Sequence, residues 1–338
     1  MVRTFTLGNI RRGGLLAIAA ALLFGLSTPA AKAIVGGLQP LLLAGLVYLG
    51  SGLGLGILIL IGHRHGAQLR RADLPWLLAT VVFGGALGPA LLMWGLTQTT
   101  GSAASLLLTL EGVFTALIAW IVFGEPFNRR IGLGMAAIFA GAVLLALRTS
   151  SGQAGTVGAL AVAGACLSWA IDNNCTSKIA DVDALTLASI KGVVAGAANA
   201  TLALSGGSAL PSASLVGASA LVGFFGYGLS LVLFVLALRE IGAARTGAYF
   251  STAPFIGAVI GILALHERLS MSLMGAGLLM GLGVYLHLTE QHRRGAAASA
   301  APRATIASTR HSRLLVGSCI VGLSLDLDTM SGCTTYPT

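Results

Sequence analysis

Apolar residues in this chain come in long, nearly unbroken runs. Strict alternation would mark half-buried strands, and a stripe every three to four residues would mark a helix with one wet face. Neither pattern dominates. The runs are apolar on all sides and about 20 residues long, the length a helix needs to cross a bilayer. Ten are predicted, over residues 13–35, 40–61, 75–97, 102–123, 131–147, 158–176, 184–204, 215–238, 246–265 and 271–288. Short connections separate them, several with breakers such as Gly37 and Pro40, Gly152 and Gly155, or Gly206 and Pro211.

Composition agrees. Of 338 residues, 56% are apolar and 9% charged, against roughly 25% charged in an average soluble domain. The mean hydropathy is +0.89. A soluble fold of this size lacks the polar side chains to cover its surface, and a disordered chain would be poor in apolar residues. The reading is an all-α polytopic membrane protein.

The net charge of +9 sits in short clusters between the runs. No basic stripe is interleaved with aromatics, so nucleic acid is not the expected partner. With a cytoplasmic N-terminus, one face receives Arg3, Arg11, Arg12, Arg64, Arg70, Arg71, Arg129, Arg130, Lys178, Arg239, Arg245, Arg293 and Arg294. The other receives Lys32, Arg148 and Arg268. This bias places both termini in the cytoplasm of an inner-membrane protein and requires an even number of spans. A rival exists for the first run: Arg11 and Arg12 precede an apolar core, and Ala31-Lys32-Ala33 resembles a signal-peptide cleavage site. Cys166, Cys175, Cys319 and Cys333 form no CxxC pair and no zinc spacing, so neither a disulfide framework nor a zinc site is indicated, and no cofactor is expected.

Slid on itself, the chain repeats at an offset of about 142–146 residues. Residues 100–105 (TGSAAS) align with 242–247 (GAARTG), Glu125 with Glu267, Gly141 with Gly283, and Phe24 with Trp169. Each copy holds five spans, so the second enters the membrane upside down. Inverted repeats are the architecture of alternating-access transporters, with a site near the midplane between halves.

The segment from Ser105 to Gly141, with Leu110-Glu111-Gly112-Val113-Phe114-Thr115-Ala116-Leu117 and Gly124-Glu125, resembles the EamA domain of the drug/metabolite transporter superfamily. Ala253-Pro254-Phe255 and His266-Glu267 match it in the second copy. The resemblance implies two inverted five-helix EamA repeats. The expected boundaries are an N-terminus at 1–12, repeats at 13–148 and 158–290 around a linker at 149–157, and a disordered tail at 291–338. It implies a secondary transporter for small polar metabolites such as amino acids, exported by alternating access. A channel-like uniporter and a drug efflux protein are the alternatives. Where the family typically has Glu-Pro in helix four, this chain has Glu111-Gly112; in helix nine it keeps Pro254 and has Ala253 in place of the Glu.

Glu111 lies about 14 Å into its span, near the bilayer centre. An ionised carboxylate there costs about 2.5–3.5 kcal/mol on insertion scales, so it is protonated, paired or facing a wet cavity. It is the candidate for proton coupling or for a substrate amine; a structural hydrogen bond between helices is the plainer reading. Trp169, Asp172, Asn173 and Thr176 share one face at i, i+3, i+4, i+7 and suggest a cavity lining, against polar helix packing. Lys191 falls at the depth of Asp172 on the next helix. It either reads a substrate carboxylate or is bolted to Asp172. Trp94, and Tyr249 with Phe250, are further lining candidates. The expected partners are the lipid bilayer, a small-molecule substrate and protons. An integral-membrane enzyme would need a catalytic cluster at the surface, and the loops are too short and too poor in such residues.

Overall fold

A backbone in lipid must satisfy its own N–H and C=O groups, and apolar runs of this length do so as helices. The computed structural model describes residues 7–62, 69–124, 127–148, 153–179 and 181–300. Among these are ten helices long and apolar enough to span a membrane: α1 (Arg11–Val35), α2 (Pro40–Gly62), α3 (Arg71–Gln98), α4 (Gly101–Phe123), α5 (Arg129–Leu147), α6 (Gly155–Ile179), α7 (Ala184–Ser205), α8 (Ala213–Ile241), α9 (Arg245–Ala264) and α10 (Met271–Thr289). Their ends fall within a few residues of the expected runs. The last helix continues to Ala300, into the stretch expected to be disordered. Residues 301–338, Glu125, His63 and His65 lie outside the described residues.

Helix packing follows a two-fold relation between α1–α5 and α6–α10. The contact of α1 with α8 is mirrored by that of α6 with α3, α1 with α9 by α6 with α4, and α2 with α8 by α7 with α3. Three pairs meet their own counterparts: α2 with α7, α4 with α9, and α5 with α10. Glycines permit the closest crossings. A Cβ on Gly52 would sit 2.4 Å from the Val193 nitrogen, and one on Gly192 would sit 2.7 Å from the Gly52 Cα. In the α5–α10 crossing, a Cβ on Gly134 would come within 2.8 Å of the Gly283 oxygen. Without water to drive apolar faces together, such backbone approach carries membrane helix association.

The irregularities repeat too. A π-helical stretch interrupts α3 at Thr80–Leu87, and another interrupts α8 at Phe224–Leu229, which is the offset of the sequence repeat. Helix α4 breaks at Leu108 and Thr109, and α9 at Ser251 and Thr252. In each break the threonine folds back: Thr109 Oγ1 donates to the Leu106 oxygen at 2.8 Å and Thr252 Oγ1 to the Tyr249 oxygen at 2.6 Å. A hydroxyl that engages its own backbone competes with the helical ladder. Pro254 then restarts α9 from its first turn, where the missing N–H costs nothing.

Candidate functional site

The broken helices leave a space between the halves. Beyond its break, the second part of α4 (Leu110–Phe123) packs on α6 but leans away from α9. A cavity of about 680 Å³ opens there, lined by residues of α1, α4, α5, α6, α9 and α10. The lining runs from Phe24, Ala253 and Pro254, within their spans, to the helix ends at Trp120, Phe127, Ser177 and His287, its mouth. That mouth is at the helix ends that carry Arg129, Arg130, Lys178 and Arg245, the basic face.

Glu111 stands in the first turn after the α4 break, so the break itself brings a carboxylate to the cavity wall. Asn173 of α6 donates through Nδ2 to Glu111 Oε1 at 2.8 Å and to Thr115 Oγ1 at 3.3 Å. Asn174 Nδ2 donates to the Thr115 oxygen at 3.3 Å and to the Ala170 oxygen at 2.8 Å. The wall therefore offers one carboxylate, two amides, the His287 imidazole, and the hydroxyls of Thr109, Thr115, Ser177 and Ser251. Aromatic rings complete the lining, with Phe24 and Phe250 centroids 5.2 Å apart, and Trp120 stacked on Phe127 at 4.3 Å. A single negative group among amides and rings suits an amine or a protonatable cation with an apolar body.

The polar face expected on α6 is split between two roles. Asn173 lines the cavity, and with it Asn174, which lies one position off that face. Trp169 and Asp172 turn instead to the π-helical part of α3, and Thr176 bonds to Asp172. The Trp169 indole donates to the Gly84 oxygen at 3.0 Å, where the Tyr48 hydroxyl also donates at 2.9 Å. Asp172 is buried against Gly84: a Cβ there would lie 2.0 Å from Asp172 Oδ2. Its Oδ2 takes the Lys191 ammonium at 2.6 Å, and its Oδ1 accepts from Thr176 Oγ1 at 3.2 Å. Lys191 is thus held by Asp172 and is not among the cavity-lining residues. Trp94 and Tyr249 are each less than half exposed and lie outside the lining, Tyr249 beside Gly14 of α1.

The opposite end of the bundle is tied together by contacts of Glu267 and Lys32. Glu267 follows α9 and accepts from the backbone nitrogens of Gly101 at 2.6 Å and Ser102 at 2.8 Å, donors at the start of α4 that have no acceptor within the helix. His266, at φ +54°, turns the chain back to aim this carboxylate. Lys32 donates to the Leu96 oxygen at 2.6 Å, tying α1 to the end of α3. Phe250, a lining candidate from the sequence, does line the cavity, whereas Phe24 and Thr115 line it without having been proposed for it; Thr115 had a signal, being four residues from Glu111 on the same face.

The profile of the EamA-like transporter family matches residues 11–147 and again 156–289. The chain belongs to the EamA-like transporter family. An uncharacterized transporter of Methanothermobacter thermautotrophicus is 27% identical over 288 residues, covering 80% of this chain and 84% of the relative. The uncharacterized transporter YvbV of Bacillus subtilis is 24% identical over 284 residues, covering 82% and 92%. A crystal structure of a 19% identical protein superposes with a TM-score of 0.63 over 83% of this chain and 97% of the other, a likeness of fold. This EamA protein is a multi-pass membrane transporter whose two family domains coincide with its two five-helix halves.

Proposed function

We propose that this EamA protein is an inner-membrane secondary transporter that exports small amine-bearing metabolites, amino acids or simple organic amines, by alternating access. The termini are assigned to the cytoplasm by the basic bias of one face. On this assignment the cavity faces the cytoplasm and Glu267 and Lys32 join the helix ends on the outer side, which supports reading the conformation as inward-facing.

One observation carries the reading: Glu111 is placed by a helix break in the wall of the central cavity, hydrogen-bonded by Asn173. An amine replaces the Glu111 proton on the cytoplasmic side. A proton from outside then replaces the amine, which makes the exchange an antiport. Lys191 is engaged by Asp172, which disfavours a carboxylate as the recognised group and favours the amine.

The test is flux in proteoliposomes with labelled amino acids and tetraethylammonium, under an imposed pH gradient. Wild type is expected to drive accumulation that collapses with the gradient, and Glu111→Gln to abolish the proton-driven part. Unchanged flux and unchanged pH dependence in Glu111→Gln would remove Glu111 from the mechanism. Saturable flux with no response to the gradient would make the protein a uniporter.

A further inference from the structure

Glycine is the poorest helix former after proline, so a glycine inside a helix calls for a reason. Here most have one in close packing, as Gly52, Gly84 and Gly192 show. Among the described glycines whose surroundings are defined, three helical ones with negative φ have no heavy atom within 4 Å of where a Cβ would stand: Gly112, Gly217 and Gly247. Gly217 lies exposed outside the cavity. Gly112 and Gly247 both line the cavity, one next to Glu111 on α4 and the other near the start of α9. At neither position does packing or backbone conformation in this state ask for glycine. What glycine leaves there is volume.

We infer that Gly112 and Gly247 set the size limit of the transported molecule, keeping room for the body of a cation whose charged end sits at Glu111. This rests on the cavity being the transport site. The repeat offers one competing reason for Gly247. Its counterpart Ser105 packs at the closed end against Gly257, where a Cβ would meet Ser105 Oγ at 2.7 Å. By the same relation, Gly247 would pack near Thr115 when the mouth closes. The two explanations differ in what they predict for binding.

The experiment measures affinities of the purified full-length protein for the tetraalkylammonium series, from tetramethyl to tetrabutyl. The proteins are wild type, Gly112→Val, Gly247→Val, Gly217→Val and Glu111→Gln. Melting temperatures verify folding, and Gly112→Ala serves if a valine variant does not fold. The expected result is a changed size cut-off. The Gly112 and Gly247 variants keep tetramethylammonium within about twofold and lose tetrabutylammonium about tenfold or more, a loss of about 1.4 kcal/mol. Gly217→Val changes neither, and Glu111→Gln loses the whole series. Equal affinities across wild type and the glycine variants would overturn the inference while leaving the cation site standing. Uniform loss across the series would overturn it in favour of gate packing. Wild type binding none of the series would overturn the cation reading, and the size limit with it.

Discussion

At the residue scale, the central contrast is between two carboxylates one helix apart. Glu111 faces the cavity and Asp172 faces Lys191, although both are intramembrane acids at similar depth. The Asp172 and Lys191 side chains are 6% and 19% exposed. Removing one partner strands a buried charge, so Asp172→Ala is expected to destabilise the fold by about 3–5 kcal/mol, measured by unfolding in detergent. Asp172→Asn combined with Lys191→Met should recover most of that loss; an equal loss in the double variant would assign the cost to packing. His266 is held in left-handed backbone, which histidine tolerates and β-branched residues resist. His266→Val is expected to cost about 1–2 kcal/mol and His266→Gly almost nothing. The ion pair was legible in the sequence because depth can be counted along apolar runs. Its isolation from the cavity was not. The helix face that holds Trp169 and Asp172 shows polarity in the sequence, but not which neighbour meets it.

At the element scale, the two π-helical stretches and the two helix breaks do the positioning. A π turn shifts the hydrogen-bond ladder and frees carbonyl oxygens for side chains. Gly84 accepts from Tyr48 and Trp169, and the Ala86 oxygen accepts from Asn199 Nδ2 at 3.1 Å. Gly84→Ala would drive a methyl into Asp172, with an expected cost of about 1–3 kcal/mol for overpacking. Gly112→Ala meets open space and should gain up to about 1 kcal/mol in helix stability. A thermal-shift comparison of the two variants checks both; similar losses would show that the space beside Gly112 is filled. The span boundaries were legible to within a few residues because hydropathy dictates them. The π stretches were not, since Gly84-Gly85 reads in sequence as a packing face. Pro254 was a visible sign of the α9 break, whereas the α4 break has only Thr109 to announce it.

At the scale of the whole molecule, the offset of about 142–146 residues predicted two upside-down halves. The mirrored contacts of α1 with α8 and α6 with α3 express that relation in three dimensions. The halves are alike in topology and unlike in state: α4 and α9 meet tightly at the Glu267 end and part at the Trp120 end. No sequence pattern distinguishes the open end from the closed one, because both are built from the same repeated elements. Glu267 is one lock on the closed end. Glu267→Ala should raise outside labelling of a cysteine at Ser102 about tenfold or more; unchanged labelling would mean that Glu267 does not hold that end shut.

The most direct measurement takes a protein with its native cysteines replaced and a single cysteine at Thr115, a residue of the cavity wall. Membrane-impermeant thiol reagents are applied to inside-out and right-side-out vesicles. Rapid labelling from the cytoplasmic side, slowed when tetraethylammonium is bound, is the predicted result. Labelling from the outside alone, or from neither side, would contradict an inward-opening cavity between two inverted halves.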